Sequence, residues 1–361
     1  MLLGLYVFFW ILKASGSFTV SSRSIINLNP IMSRSALSDT STSLQWTPLD
    51  PESIVSASCL IEQTLCVATE TTPRRAKDYN YAKAVLDAWK EQETDSESLW
   101  QAEMADVVYE SDETDHGQKL YGHVVRNPKT VATKLPVILF FHTGAGPHDI
   151  FLFWKAAALV QDLPCIVLIC DILGDESGSA WDTDRSWYNS AREAVLNQDD
   201  SGRPLLQSRI KAAIGTAESK LGNLADSSTL GAMGWCLGGH PVLELGRMKL
   251  PNMLCMATFH GVFDSLPPPP TTVAPSGKGE AEVLICHGVD DPFVTNDILE
   301  NALSTLHNLR HRTSLLQLQA RHGFSNPAQD FNSNPAFAFT REAADKAWHQ
   351  SVVLMKRVLG G

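Results

Sequence analysis

The most regular feature of the chain is a series of short apolar runs separated by longer amphipathic stretches. Pro136-Val137-Ile138-Leu139-Phe140-Phe141-His142 is apolar without alternation, the pattern of a strand buried on both faces. Similar runs recur at 165–170, 230–234, 253–259, 283–287 and 314–318. Apolar residues at helical spacing fill the intervals, at 150–160, 205–221, 241–248, 297–309 and 341–359. Residues 105–109 and 119–126 read as two strands of a hairpin-like start, and the stretch after Cys170 reads as a long loop. Strands alternating with helices predict an α/β fold: a mostly parallel, doubly wound sheet covered on both faces. Chemistry in such a sheet belongs at the carboxyl ends of the strands.

The pattern divides the chain into three parts: 1–39, a targeting segment; 40–103, an N-terminal extension; and 104–361, the α/β domain. Leu2 to Leu12 is an apolar run of signal-peptide length, too short to span a bilayer, and Ala14-Ser15-Gly16 follows with small residues. Residues 15–38 carry Ser and Arg but no acid, as a transit peptide does. A secretory route, the two-part plastid address of algae, and a cytoplasmic protein starting at Met32 all remain open. In the extension, Tyr81, Val85, Leu86, Trp89, Leu99 and Trp100 suggest an amphipathic helix over 80–100 that packs on the main domain. Residues 266–279, with four consecutive prolines, read as a surface insertion between two strands.

Composition narrows the function. With 44% hydrophobic and 19% charged residues the chain has the balance of a folded protein with a sizeable core. Its net charge is −11, and the only charges before Asp39 are the basic Lys13, Arg23 and Arg34, so the body is more acidic still. Such a surface repels phosphate backbones, which argues against nucleic acid as a partner. The seven cysteines are scattered and odd in number, unlike a disulfide framework, and no C-x-x-C or H-E-x-x-H metal pattern occurs.

One cysteine stands apart. Gly234-Trp235-Cys236-Leu237-Gly238-Gly239 follows a buried strand and precedes a helix. A nucleophile at a sharp strand-to-helix turn needs small flanking residues, because a Cβ there would strike the turn. The helix N-terminus then favours the thiolate. The plainer alternative is a buried thiol in a glycine-rich turn. Two further segments arrive in the order the chemistry requires. His287-Gly288-Val289-Asp290-Asp291-Pro292-Phe293-Val294 follows the next-to-last strand, with Asp291 held by its turn and Asp290 a solvated neighbour. Arg321-His322-Gly323-Phe324-Ser325-Asn326-Pro327 follows the last strand, where a general base belongs.

Together these three segments resemble the dienelactone hydrolase family of α/β-hydrolases over roughly residues 104–360. The resemblance implies Cys236 as nucleophile, Asp291 as orienting acid and His322 as base, with no metal or organic cofactor. The oxyanion hole is expected to use the backbone N–H of Leu237 and that of Gly144 or Thr143, in the loop after the first buried run. Trp235, Phe293, Phe324 and Asn326 are expected at the pocket rim.

Two positions depart from the family's bacterial lactonases: Thr143 stands for a glutamate that touches the resting thiol, and Asn326 for an arginine that holds a substrate carboxylate. Arg185 or Arg203 could replace that arginine. The expected activity is cleavage of a small ester, lactone or thioester through an acyl-thioenzyme. The alternatives are a carbon–halogen or C–C hydrolase on the same fold, and a non-catalytic small-molecule binding protein.

Overall fold

A computed structural model describes residues 44–51, 73–94, 100–132, 134–176, 184–199, 202–266, 277 and 279–360. The targeting segment, Leu99 and most of the proline-rich insertion lie outside the described residues. Among the described residues nine strands form one sheet: β1 (Thr47–Pro48), β2 (Glu103–Glu110), β3 (Lys119–Arg126), β4 (Leu135–Phe141), β5 (Ile166–Cys170), β6 (Ala225–Trp235), β7 (Met253–Phe259), β8 (Glu282–Gly288) and β9 (Arg312–Leu318). Their order is β1-β2-β3-β5-β4-β6-β7-β8-β9. The first three are antiparallel, β3 meets β5 antiparallel, and β4 to β9 run parallel.

The central strands lack hydrophobic alternation because both faces are covered. In β4, Val137, Leu139 and Phe141 enter one apolar cluster while Ile138 and Phe140 enter the other. The first cluster is completed by α3 (Arg185–Leu196), α4 (Pro204–Leu221), α5 (Gly239–Met248) and α6 (Asn296–Asn308). The second is completed by α1 (Pro73–Thr94), α2 (Ile150–Asp162) and α7 (Arg341–Leu359). Among the described residues no helix is long and apolar enough to cross a membrane.

Three elements differ from expectation. The helix in the extension ends at Thr94, so Trp100 lies beyond it, just before β2. The stretch after β5 contains α3, an amphipathic helix whose Tyr188, Val195 and Leu196 are buried in the first cluster, where a loop is expected. The last strand is a sheet edge rather than a doubly buried strand: among the described residues β9 pairs only with β8, and Leu315 is exposed.

The extension is built into the second cluster. Val85 and Trp89 of α1 are buried there, and the indole N–H of Trp154 on α2 donates to Oε1 of Gln92 at 2.9 Å. Trp89→Ala is expected to lower the unfolding free energy by about 3–5 kcal/mol in urea titrations, the range for deleting a large buried aromatic. An effect below about 1 kcal/mol would mean that the helix is a loosely attached appendage.

Candidate active site

Cys236 sits where β6 turns into α5, with φ +53°, a left-handed conformation that a residue with a Cβ adopts only under constraint. Packing supplies that constraint. A Cβ on Gly234 would lie 2.1 Å from the carbonyl oxygen of Gly238, and one on Gly238 would lie 2.3 Å from that of Phe141. A Cβ on Gly239 would come within 2.7 Å of the backbone of Gly261. The glycines therefore let the elbow close against both its own turn and the neighbouring strands, leaving Cys236 half-buried at the sheet's carboxyl edge.

The histidine and aspartate turns converge on it. His322 Nε2 is 3.1 Å from the Cys236 sulfur, and His322 Nδ1 is 2.7 Å from Oδ2 of Asp291. Asp291 is fixed by its own turn, its Oδ1 accepting the Phe293 N–H at 2.9 Å, while Asp290 is exposed. Burial pushes the Cys236 thiol up, but His322 and the backbone N–H groups of Leu237 and Gly144 outweigh it, and the net shift is downward. Burial likewise disfavours charge on His322, yet Cys236 and Asp291 raise it to about 10. Each member of the pair thus favours the charged form of the other.

Two amides thus point at the sulfur, Leu237 and Gly144. Of the two candidates in the loop after β4, Gly144 faces the sulfur. The Thr143 side chain is engaged within the loop: its Oγ1 accepts the Ala145 N–H at 3.1 Å, and its hydroxyl bonds Asp149.

The expected rim needs correction. Phe293 is exposed and stands edge-on to the His322 ring, 4.9 Å between centroids. Trp235 is fully buried, stacked on Phe259 at 4.9 Å with Phe140 and Phe151 edge-on. It alternates away from the site because consecutive strand residues face opposite sides of the sheet. Phe324 is buried against His260. Asn326 is 1% exposed, its Oδ1 accepting the Ala328 N–H and its amide donating to the Tyr81 hydroxyl at 2.7 Å.

Arg203 does not reach for a ligand either. It is buried, donating to His240 Nδ1 at 3.0 Å and to the carbonyls of Asp264 and Ser265. His240 in turn donates through Nε2 to Asp264 at 3.0 Å, which also takes two bonds from Arg192. This network secures the first turn of α5 behind the elbow. Arg185 is exposed, its guanidinium 5.7 Å from the Tyr188 ring.

Three neighbours of the site carry no motif. Tyr188 of α3 is buried within electrostatic reach of Cys236, which helps hold its phenol un-ionised. Phe337 packs edge-on to His322 at 5.1 Å, and His260 does so at 5.0 Å from another side. Phe337 lies in an irregular segment that no spacing marks, whereas Tyr188 lies on the buried face of the amphipathic helix α3.

The pattern of the dienelactone hydrolase family matches residues 122–359. No curated protein matches the chain in sequence. Among solved structures, the chain is similar to a dienelactone hydrolase-like promiscuous phosphotriesterase from metagenomic libraries. The two share 21% identity and a TM-score of 0.53, over 71% of this chain and 99% of that one. Another, m3DLH, has 21% identity and a TM-score of 0.55, over 72% of this chain and 99% of its own. Both are likenesses of fold. The family match spans well over half of the sequence and takes in the elbow, the acid turn and the histidine turn. The chain therefore belongs to the dienelactone hydrolase family, α/β-hydrolase-fold enzymes acting on ester bonds.

Proposed function

We propose that the protein cleaves a small carboxylic ester, lactone or thioester by nucleophilic catalysis at Cys236. The observation that carries this reading is the convergence of His322 Nε2 and two backbone amides on one sulfur atom. The thiolate attacks the carbonyl carbon, and the oxygen that becomes an oxyanion is received by the N–H groups of Leu237 and Gly144. As the tetrahedral intermediate collapses, the imidazolium of His322 gives its Nε2 proton to the leaving alkoxide or thiolate. The product alcohol or thiol departs and leaves an acyl-thioenzyme. Neutral His322 then takes a proton from water, hydroxide adds to the thioester, and the thiolate is expelled again as the acid leaves. Asp291 accepts the Nδ1–H throughout, fixing the tautomer and favouring the imidazolium.

Thr143, in place of a loop glutamate, leaves His322 as the charged partner of the resting sulfur. The thiolate is thus present before substrate arrives. Its folded pKa is depressed, so it is lost only as pH falls below the ordinary thiol range. Iodoacetamide should alkylate Cys236 with an apparent pKa below the ~8.5 of a free thiol. In His322→Ala that value should move upward, and an unchanged profile would dissolve the ion pair.

Cys236→Ala should reduce p-nitrophenyl acetate hydrolysis to background, while the wild type releases a burst of p-nitrophenol equal to the enzyme present. Turnover surviving in Cys236→Ala rules the mechanism out.

Substrate charge is constrained by the same side chains that were expected to bind it. Asn326 and Arg203 are engaged internally, and an unpaired carboxylate entering a desolvated pocket costs several kcal/mol. Neutral short-chain esters should therefore show higher kcat/KM than carboxylate-bearing analogues with the same leaving group. The opposite preference, if abolished by Arg185→Ala, would assign Arg185 to the carboxylate.

A further inference from the structure

The family match begins at residue 122, yet a side chain from far upstream reaches the two loops that frame the elbow. Tyr81 of α1 donates its hydroxyl to Oδ2 of Asp149 at 2.8 Å and accepts the amide N–H of Asn326 at 2.7 Å. Asp149 closes the oxyanion loop. It is buried, accepts the Phe151 N–H at 3.0 Å as the cap of α2, and bonds the hydroxyl of Thr143, next to Gly144. Asn326 stands four residues after His322, and its Oδ1 is fixed by the Ala328 N–H at 3.0 Å.

We propose that Tyr81 is a positioning residue of the active site, its hydroxyl tying the loop that carries the Gly144 amide to the loop that carries His322. The proposal rests on the mechanism above. The phenol joins two anchors, each itself pinned by a backbone N–H, so displacement of one loop is transmitted to the other. A phenol suits this task because a ring on two torsions gives a near-fixed reach from the helix. The N-terminal extension is then part of the catalytic apparatus. The position taken by a substrate-binding arginine in the bacterial lactonases serves here as the internal anchor for that extension.

Oxyanion stabilisation depends on donors placed within a few tenths of an ångström, whereas the Cys236–His322–Asp291 chain is held by its own hydrogen bonds. Loosening the tie should therefore affect the transition state more than substrate binding or the thiolate. In the full-length chain, Tyr81→Phe keeps the ring and removes only the hydroxyl. With p-nitrophenyl acetate, kcat should fall about tenfold while KM and the iodoacetamide alkylation rate of Cys236 stay within about twofold, as loss of a transition-state contact requires. Asn326→Ala should give a loss of the same kind, and the double variant should lose no more than the worse single one, since both cut the same tie.

A wild-type kcat in Tyr81→Phe overturns the proposal. So do losses that multiply in the double variant, or a fall in kcat matched by an equal fall in alkylation rate or by a collapse of the melting temperature. The Cys236→Ala control separates the two levels: activity surviving there removes the nucleophile, whereas activity surviving in Tyr81→Phe alone removes only the clamp.

Discussion

A cysteine held at φ +53° between a strand and a helix is the constraint around which the site is arranged. Such a conformation persists only where the surroundings over-determine it, and here the surroundings are backbone. The glycines at 234, 238 and 239 bring the turn against the carbonyl of Phe141 and the main chain at Gly261. That closeness has a chemical consequence. It directs the Leu237 N–H at the sulfur and places the sulfur opposite the loop after β4, where the Gly144 N–H meets it. A single backbone distortion therefore brings two backbone amides onto one sulfur.

The electrostatics follow from the same geometry. A half-buried thiol would ordinarily resist ionisation, and a buried imidazole would resist protonation. Placed 3.1 Å apart they reverse each other's tendency, and Asp291 behind the ring tips the balance towards the ion pair. Neutral histidines surround this charge without competing for it. His260 stays well below its ordinary range through burial and the proximity of His322, and it bonds Ser325 at 2.8 Å. The electrostatics thus favour positive charge on His322 and disfavour it on His260.

Much of this was legible in the sequence, for a physical reason. Buried parallel strands produce unbroken apolar runs, as at 136–142, and a nucleophile elbow needs glycines at fixed offsets, as at Gly234 and Gly238. These are local requirements, so they leave local marks. The rim was misread because it depends on facing, not on proximity in sequence. Trp235 adjoins Cys236 but points through the sheet into the core, and Asn326 follows His322 by four residues but turns back into the protein. Arg203 was misread for the opposite reason: its burial depends on His240 and Asp264, partners from distant segments. α3 does carry an amphipathic pattern, with Tyr188, Val195 and Leu196 buried opposite a polar outer face, but its apolar residues are few beside those of the doubly buried strands.

The side chains that were misjudged share one property. Asn326 and Arg203 are polar groups next to the site, and each is spent on holding backbone or a neighbouring loop in place. A buried polar group without a partner is costly, so in a crowded active-site shell such groups become structural ties unless a substrate regularly replaces the partner. The rings near Cys236 and His322 are exposed Phe293, half-buried Phe337 and buried Tyr188. Aromatic walls discriminate by shape and by how much apolar surface they cover, with little leverage over charge. In the proposed reaction the fixed amides would select for a carbonyl and the rings among acyl groups. The long-range acidity of the protein works in the same direction, lowering the local concentration of anions before they reach the rings.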